Sequence, residues 1–565
     1  MGSGATAVVS EDTGAVTEAE GGQDRERGPH RSERRAVLTA VGAAGVGLVA
    51  AACAPPAAQP APPPAVQAPP PPTPPPPVPP TVAQARLLAG RATFGATAGV
   101  VARVSALGMA GWLDEQLNPA ALPSAEARLG AFNTLRQTNS QNEAVRNTDQ
   151  DQLFHELDHA TLLRAVFSER QLYEVMCDFW SNHFNIWRNA KYLTQLKTVD
   201  NERVIRPFAL GKFSDLLMAS AKSPAMLVYL DNYTSRGDPG RMVNENYGRE
   251  LLELHTLGIV NGQHVYSEAD ILGASKVLSG WSINWTNGAT KYDFFFADYY
   301  HSREAVSILG GAWSRPARTN DYRTRGMGDG ESLVQFLARH PATARHICFK
   351  LVRRFVADNP PMGLVDRLAA TFTANDTAIA PVLRELFLSP EFAAAANLKT
   401  KRPIDWLYSA LRSTAAQVSD APRGQASSRL RSAQSALGQP LNEWVTPDGY
   451  AEEAVEWVAA DGLLKRWEYG ARISRNQLTD SNTPAKVAIN VLTLVPAPLP
   501  PTNRALIAAI ASNHFQIPIS SSDEAAICTA VQVPPDAAVT TLATDVARLQ
   551  GAVGLLLAHP QFHRR

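Results

Sequence analysis

Apolar residues recur at helical spacing along nearly all of the chain from Ala83 onward. Short helices are predicted over Arg86 to Phe94 and Val100 to Leu117, with Gly95 and Gly99 breaking the chain between them. A period near 3.6 residues gives each helix one apolar stripe, and such stripes pack against one another to form a core. The pattern therefore predicts a mostly all-α fold.

Three further helices carry signals at their ends. A capping box of the S-x-x-Q type at residues 168–171 precedes apolar positions at helical spacing and predicts the start of one helix. Glu245 to Leu257 predicts a second helix, and Gly258 stands where a C-terminal cap is expected. His340-Pro341 predicts a third helix, since proline is favoured at the first helical position.

The helical spacing is interrupted by one segment of β character. Trp281 to Trp285 and Tyr292 to Phe296 are rich in aromatic residues, and Asn287-Gly288 between them is a typical turn pair. We therefore predict a large multi-helix domain with a small β-hairpin insertion near residues 281–309.

The first 53 residues have the layout of an export signal. Arg34-Arg35 precedes an uncharged apolar run from Ala36 to Ala52, and Cys53 follows the run directly. Paired arginines ahead of an apolar segment are typical of twin-arginine (Tat) signals. The run is shorter than the roughly 20 apolar residues of a membrane span. Two outcomes stay open: lipidation of Cys53, as at a bacterial lipoprotein cleavage site, or simple cleavage at the small residues before it.

Residues 54–80 are rich in proline and alanine. Proline-rich chains adopt an extended, semi-rigid conformation of about 3.1 Å per residue, which suits a spacer. Residues 81–565 are then left as a helical domain with one or two subdomains. Together with the signal, this organisation predicts an exported, periplasmic or extracytoplasmic protein that contacts a membrane only through its N-terminal anchor.

Charge, cysteine content and missing motifs exclude several classes of function. Lys and Arg total 53, Asp and Glu also total 53, and no basic cluster follows the signal, which argues against nucleic acid as a partner. Cys177 and Cys348 lie in apolar helical patterns that predict core residues rather than a zinc or disulfide framework. The chain lacks a phosphate-binding glycine loop, a dinucleotide fingerprint and a G-x-S-x-G elbow, which argues against nucleotide and serine-hydrolase chemistry.

The first chemical candidate is His155-Glu156-Leu157-Asp158-His159, a literal H-E-x-x-H sequence. On a helix, two histidines four residues apart can bind one zinc ion, with the glutamate as general base and Glu174 or Glu202 as a third ligand. Two features count against this zinc site. Asp158 is charged where such helices are buried, and residues 147–152 before it are strongly polar. A polar helix surface is the favoured interpretation.

The second candidate is His183, which lies in the aromatic-rich string at residues 179–184 and on the apolar stripe of its helix. A buried imidazole without a partner costs about 1–3 kcal/mol, so it must find one. The favoured interpretation is a core histidine bonded to a carbonyl or carboxylate oxygen. The alternative is a metal ligand or a general base.

The third candidate is a pair of carboxylates on the helix predicted at 245–257. On an ideal helix Glu250 and Glu253 point the same way, whereas His255 points almost opposite. Glu250 and His255 therefore cannot bind one ion unless the helix is distorted. Two carboxylates on one face can hold a divalent metal or share a proton. Neutralisation by Arg249 or another arginine is favoured over both.

Five strings of the chain occur together in one bacterial family. They are residues 179–184 (FWSNHF), 223–232, 244–258 (NENYGRELLELHTLG), 269–281 and 340–344. With them the chain resembles the family called domain of unknown function 1800, from about Arg86 to the C-terminus. The resemblance implies an exported protein, but no established activity, substrate or catalytic residue. One departure is that His301 is followed by Ser302, where the family tends to place aspartate.

The resemblance also implies a partner. Members of this family are often encoded beside another exported family, called domain of unknown function 1501. An exported protein of that second family is therefore the expected partner of this chain.

Two classes of function follow from these candidates. In the first, His183, Glu250 and Glu253 form a metal-assisted or acid–base hydrolytic site of an envelope enzyme, with a divalent metal as the expected cofactor. His255 and His301 are further candidates for catalytic roles in that site. A Tat-type signal agrees with this class, because that route exports folded proteins with their cofactors. In the second class, the domain is a non-catalytic binding or scaffold module. The zinc metalloprotease at the H-E-x-x-H sequence is a further alternative.

Overall fold

Helices account for most of the described chain. The computed structural model describes residues 79–565 except 191, 261, 319–321, 481 and 485, and it describes no side chains for 322–325. In that part the sheets are three antiparallel pairs of short strands, so the mostly all-α prediction is confirmed. None of the described helices combines the length and apolarity that a membrane crossing requires. The predicted signal at 1–53, with Cys53, and nearly all of the 54–80 spacer lie outside the described residues.

The N-terminal part of the described chain forms four helices. They are α1 (Val82–Ala92), α2 (Ala98–Gln116), α3 (Asn139–Phe167) and α4 (Gln171–His183). Helices α1, α2 and α3 each begin after a threonine whose side chain accepts a hydrogen bond from the third helical amide. Both helices predicted before residue 118 are confirmed, and Gly108, with φ of 73°, interrupts the second.

The predicted capping box at 168–171 is wrong, although the helix after it is present. Ser168 Oγ accepts a hydrogen bond from the amide of Arg170, which is the N-cap residue. The Gln171 side chain donates to the carbonyls of Ala165 and Ser168 and accepts from the amide of Phe94. Gln171 therefore ties α4 to the turn after α1, a long-range contact that a local motif does not reveal.

The middle of the chain holds shorter helices, two of which continue into π-helical turns. The helices are α5 (Leu193–Asp200), α6 (Arg206–Phe208), α7 (Phe213–Ala221), α8 (Pro224–Tyr229), α9 (Asn246–Glu250) and α10 (Glu268–Leu278). The π turns Asn201–Ile205 and Leu251–His255 follow α5 and α9 directly. The helix predicted at 245–257 is thus present in two parts, and Gly258 adopts the left-handed φ of 69° expected of a terminating glycine.

The predicted hairpin is confirmed and is followed by a second one. β1 (Trp281–Ile283) pairs with β2 (Phe294–Phe296), with Trp281 opposite Phe296, and β3 (Val306–Ile308) pairs with β4 (Trp313–Arg315). The first hairpin buries Trp281 completely, and the second packs against α10. Aromatic side chains on β1 and β2 therefore anchor this insertion to the helical body.

Helices resume after the hairpins and continue to the C-terminus. They are α11 (Tyr322–Arg339), α12 (Pro341–Phe355), α13 (Met362–Ala374), α14 (Ile379–Leu388), α15 (Pro390–Ala393), α16 (Pro403–Ser413), α17 (Gln425–Ala436), α18 (Ala460–Ser474), α19 (Asn503–Ile510), α20 (Ser521–Ala530), α21 (Thr540–Thr544), α22 (Val546–Ala558) and α23 (Pro560–His563). β5 (Gln417–Val418) pairs with β6 (Val487–Ala488), and a third π turn, Ala511–Phe515, follows α19. As predicted, His340 precedes α12 and Pro341 is its first residue.

One cluster of buried apolar side chains extends from α1 to α23. The largest buried side chains include tryptophans from α2, α4, β1 and α16, so elements distant in sequence share the same core. Several arginines are also fully buried there, and Arg188, Arg354 and Arg402 pair with carboxylates, because an unpaired buried charge is very unfavourable. Two of these arginines, Arg354 and Arg402, hold the wall of the cavity described next.

Candidate functional site

Three buried histidines from three separate helical segments meet at one lysine. His183 ends α4, His255 ends the π turn after α9, and His346 lies on α12 one turn before Lys350. The centroid of the His183 ring is 6.1 Å from that of His255 and 6.3 Å from that of His346. Lys350 Nζ lies 3.0 Å from Nδ1 of His183. Two of the residues predicted from sequence, His183 and His255, are therefore brought together.

The π turn changes the direction of the peptide around His255. Its wider i→i+5 pattern rotates the end of the helix relative to an ideal α-helix, on which this histidine pointed away from the carboxylates. Thr256 then leaves helical geometry, and its Oγ1 donates a hydrogen bond to the carbonyl of Leu251. The carbonyl of His255 is left facing His183 Nε2 at 3.3 Å. The helix is therefore distorted at His255, and a distorted helix was the condition for Glu250 and His255 to bind one ion.

A cavity of about 440 Å³ opens beside this cluster, and we call it the histidine–lysine pocket. Its wall is formed by α4, α12 and the segment at 444–456. Charged and ring-bearing residues of that wall include His183, His346, Lys350, Asp448, Tyr450 and Glu452. A cavity of this size with a few convergent polar groups is typical of a small-molecule site.

All three histidines are neutral at physiological pH. Burial, with the nearby Lys350 charge, lowers the pKa of His255 and of His346 to about 3 and holds that of His183 well below its usual value. Because Nδ1 of His183 accepts a hydrogen bond from the Lys350 amine, the neutral ring carries its proton on Nε2 and donates a hydrogen bond to the carbonyl of His255. His346 donates from Nε2 to the carbonyl of Leu254 at 3.2 Å.

Lys350 has no carboxylate within salt-bridge distance in the described part of the chain. Burial lowers the pKa of its amine to about 8, against the opposing charges of Glu452 and Asp448. An amine with such a pKa is partly neutral at physiological pH and can accept a proton or give one up. A lysine at a cavity wall that is bonded to a neutral imidazole is suited to proton transfer.

Glu250 and Glu253 lie outside the lining of the pocket, and the charge of Glu253 acts on Glu250. Burial, followed by the charges of Glu253 and Asp448, raises the pKa of Glu250 to about 7. Asp448 itself lines the pocket and accepts hydrogen bonds from the indole of Trp444 and the hydroxyl of Thr446. The two glutamates are thus linked to the pocket through the charge of Asp448.

The favoured neutralisation of this pair by Arg249 is wrong. The Arg249 guanidinium makes two hydrogen bonds of 2.9 and 2.7 Å to Glu268 on α10. Among the described residues neither Glu250 nor Glu253 has an arginine within 4.0 Å. The charge of Glu253 therefore adds to burial in raising the pKa of Glu250, and no ion pair offsets it.

The described residues contain no group of three or more His, Cys, Asp or Glu side chains placed to hold a metal ion. His183, Glu250 and Glu253 form no such group, since His183 faces Lys350 at the pocket wall and neither glutamate lines the pocket. Both ring nitrogens of His183 already have partners, so the residues present do not fit a metal at this histidine. The metal-ligand roles stay predictions.

The H-E-x-x-H helix is buried, so the favoured interpretation as a polar helix surface is wrong. Glu156, Asp158 and His159 are each at most 3% exposed. Glu156 Oε2 accepts hydrogen bonds from the amide and hydroxyl of Thr134, and Asp158 pairs with Arg188 at 2.6 Å. His159 Nε2 lies 2.8 Å from the carbonyl of Ser419.

His155 and His159, the two histidines of the motif, contact different residues. Its Nδ1 lies 2.9 Å from the hydroxyl of Ser427 on α17. Burial lowers the pKa of His159 to about 4 and also lowers the pKa of His155. His155, Glu156, Asp158 and His159 therefore each bond to a residue outside α3 and join this helix to the rest of the core.

His301 does have a carboxylate neighbour, although the next residue is Ser302. Its Nδ1 lies 2.8 Å from the carbonyl of Ser279, and its Nε2 lies 3.6 Å from Asp329 on α11. Asp329 also pairs with Arg315 and Arg318. This cluster is separate from the lining of the histidine–lysine pocket. Asp329 on α11 thus supplies His301 with the carboxylate that Ser302, the next residue in the chain, does not have.

His346, Lys350 and Asp448 were not predicted from the sequence as site residues. His346 and Lys350 are four residues apart, and Arg353 follows at the next helical position of the same face. A polar i, i+4, i+7 stripe on an otherwise apolar helix was the signal that could have found them. Asp448 lies in an irregular segment and carried no such signal.

Comparison with family models gives one match. The model described as "Protein of unknown function (DUF1800)" matches residues 87–564. The chain belongs to the DUF1800 family. Comparisons with curated proteins and with solved structures each gave no significant match. Two of the strings that carried the resemblance to DUF1800, at 179–184 and 244–258, supply His183 and His255 to the histidine cluster beside Lys350.

Proposed function

We propose that this DUF1800 chain is a hydrolase-like enzyme of the acid–base type, with Lys350 and His183 as its proton-transferring pair. The observation that carries the proposal is the 3.0 Å contact between Lys350 Nζ and His183 Nδ1 at the wall of a cavity of about 440 Å³. A buried lysine that lacks a carboxylate partner is costly to keep charged, and such tuning is typical of catalytic groups.

In the proposed reaction the neutral amine of Lys350 takes a proton from a water molecule or a substrate hydroxyl in the pocket. The resulting ammonium donates a hydrogen bond to His183 and returns its proton to the leaving group. His183 keeps the amine in place, because its own Nε2 proton is fixed on the carbonyl of His255. With a pKa of about 8, Lys350 has both forms available near neutral pH.

The metal-assisted form of this proposal has less support. The nitrogens of His183 are both in use, and Glu250 and Glu253 lie outside the pocket lining. The metal content of the protein purified without chelators tests it directly. Stoichiometric metal that is lost in both His183→Ala and Glu250→Ala, with the fold retained, would favour the metal-assisted form.

The acid–base proposal is tested with the full chain on chromogenic esters, amides, glycosides and phosphodiesters. Lys350→Met and Lys350→Arg should each lose about 100-fold or more of any activity, because positioned acid–base groups contribute about 10²–10⁴-fold. Lys465→Met, at an exposed lysine of α18, is the matched control and should retain it. The pH–rate profile should report an apparent pKa near 8.

A non-catalytic binding or scaffold module is the alternative function. Unchanged activity in a folded Lys350→Met variant would reject the proposed roles. Two results together would favour the alternative. One is that no substrate class is turned over. The other is that Lys350 reacts with acetic anhydride only at the same high pH as the exposed Lys465.

We further propose that the chain is exported and held at the cell envelope through its N-terminal region. This rests on Arg34-Arg35, the uncharged run after it and Cys53. Replacing both arginines by lysine should retain the protein in the cytoplasm, and Cys53→Ser should abolish lipid attachment while leaving export intact. The expected partner from the family called domain of unknown function 1501 is tested by co-purification of the two proteins.

A further inference from the structure

A second buried lysine contacts a serine at a different cavity. Lys401 lies just before α16 and Ser409 lies two turns into it. Lys401 Nζ is 2.8 Å from Ser409 Oγ and donates a second hydrogen bond of 2.7 Å to the carbonyl of Phe562. Both side chains line a cavity of about 280 Å³ between α1, the chain after α19 and the C-terminal residues.

Lys401 is at most 7% exposed and has no carboxylate within salt-bridge distance in the described part of the chain. Burial lowers the pKa of its amine to about 7. A neutral amine can accept the hydroxyl proton across the contact that joins it to Ser409. The same pair of groups, a serine hydroxyl and a neutral lysine, forms the catalytic centre of several unrelated hydrolases.

We infer that Ser409 is a nucleophile and Lys401 its general base, in a second site that transfers or hydrolyses acyl groups. The cavity indicates the substrate class. Most of its wall is apolar, from residues such as Leu87, Phe515, Ile517 and Phe562, which suits an ester or thioester with an apolar acyl chain. Arg86 and Arg564 also line the cavity, and their positive charge favours a substrate that becomes negative during attack.

The reaction needs only the acyl substrate and water. Ser409 Oγ forms a bond to the acyl carbon while its proton moves to Lys401 Nζ. The bond to the leaving alcohol or thiol breaks, and that group takes the proton from the Lys401 ammonium. Water then attacks the acyl-serine and gives its proton to Lys401, and the acid is released as Ser409 regains a proton.

The absence of a G-x-S-x-G elbow, which argued against serine chemistry, does not apply to this arrangement. Ser409 is on a helix and its base precedes it by two helical turns, so no strand-to-helix elbow is involved. The turn after α1 covers the serine closely, since a Cβ at Gly95 would lie 2.7 Å from the Cβ of Ser409. Any side chain at residue 95 would displace Ser409 from Lys401.

The test is labelling of the full chain with an alkyl fluorophosphonate, followed by mass spectrometry of the peptides. Ser409 should be modified, at a rate that rises with pH through about 7 as Lys401 becomes neutral. Ser413→Ala is the matched control, because Ser413 lines the same cavity without contacting Lys401. This variant should be labelled normally, and Ser409→Ala should not be labelled.

Two lysine variants separate a catalytic role from a structural one. Lys401→Met and Lys401→Arg should each slow labelling of Ser409 about 100-fold or more, the effect of losing a general base. Lys401→Arg keeps donors for Ser409 and for the carbonyl of Phe562, so it serves if the Met variant does not fold. The inference is overturned if Ser409 stays unlabelled in the folded wild type, or if Lys401→Arg is labelled as fast as the wild type.

Discussion

Gly258 packs against His346 so closely that a Cβ at residue 258 would overlap the imidazole ring. The glycine also has a positive φ of 69°, and its amide donates to the carbonyl of Leu252 in the π turn. One residue thus ends the π turn and fixes the position of His346 beside Lys350. The shape of the histidine–lysine pocket depends on this glycine for both reasons.

We expect Gly258→Ala to destabilise the protein more than Gly262→Ala. Both glycines have positive φ, which costs about 1–2 kcal/mol in an L-residue, but residue 262 has open space where a Cβ would be placed. Gly258→Ala should lose a further 1–3 kcal/mol, roughly, because His346 must move. Urea denaturation of the two variants measures the difference. Equal losses would show that the imidazole yields without cost.

The pKa of Lys350 should respond in opposite directions to two neighbouring charges. Asp448→Asn removes a carboxylate that stabilises the ammonium, so the pKa should fall and the amine should acetylate roughly two- to tenfold faster at pH 7. Arg353→Gln removes a cation and frees Glu453, so the pKa should rise and acetylation should slow by a similar factor. Peptide mass spectrometry at a series of pH values measures both.

Both variants keep Lys350 and His183, which makes them controls for each other. If they shift the acetylation rate in the same direction, the change comes from altered access to the pocket rather than from charge. In that case the electrostatic account of the low pKa would be withdrawn.

Glu250→Gln should stabilise the protein at alkaline pH. The pKa of Glu250 is raised to about 7 in the folded chain, so the folded state binds this proton more tightly than the unfolded state. Its contribution to stability is fully present below the ordinary value near 4.5 and is lost as the pH rises through 7. Because the side chain is half-exposed and solvent screens it, the gain at pH 8 should be on the order of 1 kcal/mol.

The unfolding temperature of the Glu250→Gln variant, followed from pH 4 to pH 8, checks this expectation. Glu268→Gln is the control, because Arg249 lowers the pKa of that carboxyl. It should give no gain at pH 8. A Glu250→Gln variant that is no more stable than the wild type at pH 8 would contradict the raised pKa.

The apolar spacing predicted the helices well, because α1, α2, α4 and α12 each carry a local apolar stripe, and α12 also carries the expected end signal. It could not predict the π turn at Leu251–His255, since a 3.6-residue period assumes an undistorted helix. His255 was named as a candidate, but the contact of its carbonyl with His183 could not be predicted for that reason. The buried state of Glu156 was missed because its partner, Thr134, lies in a short irregular segment outside the helix pattern.

The sequence named His183 correctly as a buried histidine with a partner, but not which partner. Lys350 is 167 residues away, and helical periodicity carries no information on contacts at that separation. The same holds for Lys401 and the carbonyl of Phe562, which are 161 residues apart. The sequence shows which residues form the apolar stripe of each helix. Only the folded core shows which stripes pack against each other.

The pocket wall is held by a buried arginine, and its removal should be severe. The Arg354 guanidinium is fully buried and lies 3.1 Å from carboxylate oxygens of both Asp405 and Glu452. Arg354→Met would leave two buried carboxylates without one of their cations, and breaking a buried pair costs about 3–5 kcal/mol. Arg367→Met is the matched control, because its pair with Glu391 is exposed and worth about 0–1 kcal/mol.

The effect of Arg354→Met should also depend on pH. The charges of Arg354 and Arg402 hold the pKa of Asp405 well below its ordinary value, so its contribution to stability is present above that value and is lost as the pH falls. The deficit of the variant, measured by urea denaturation, should therefore shrink as the pH is lowered from about 5 to about 3, through the ordinary value of 3.8. A deficit that stays constant over this range would mean that packing of the arginine side chain, rather than its charge, holds Glu452 at the pocket.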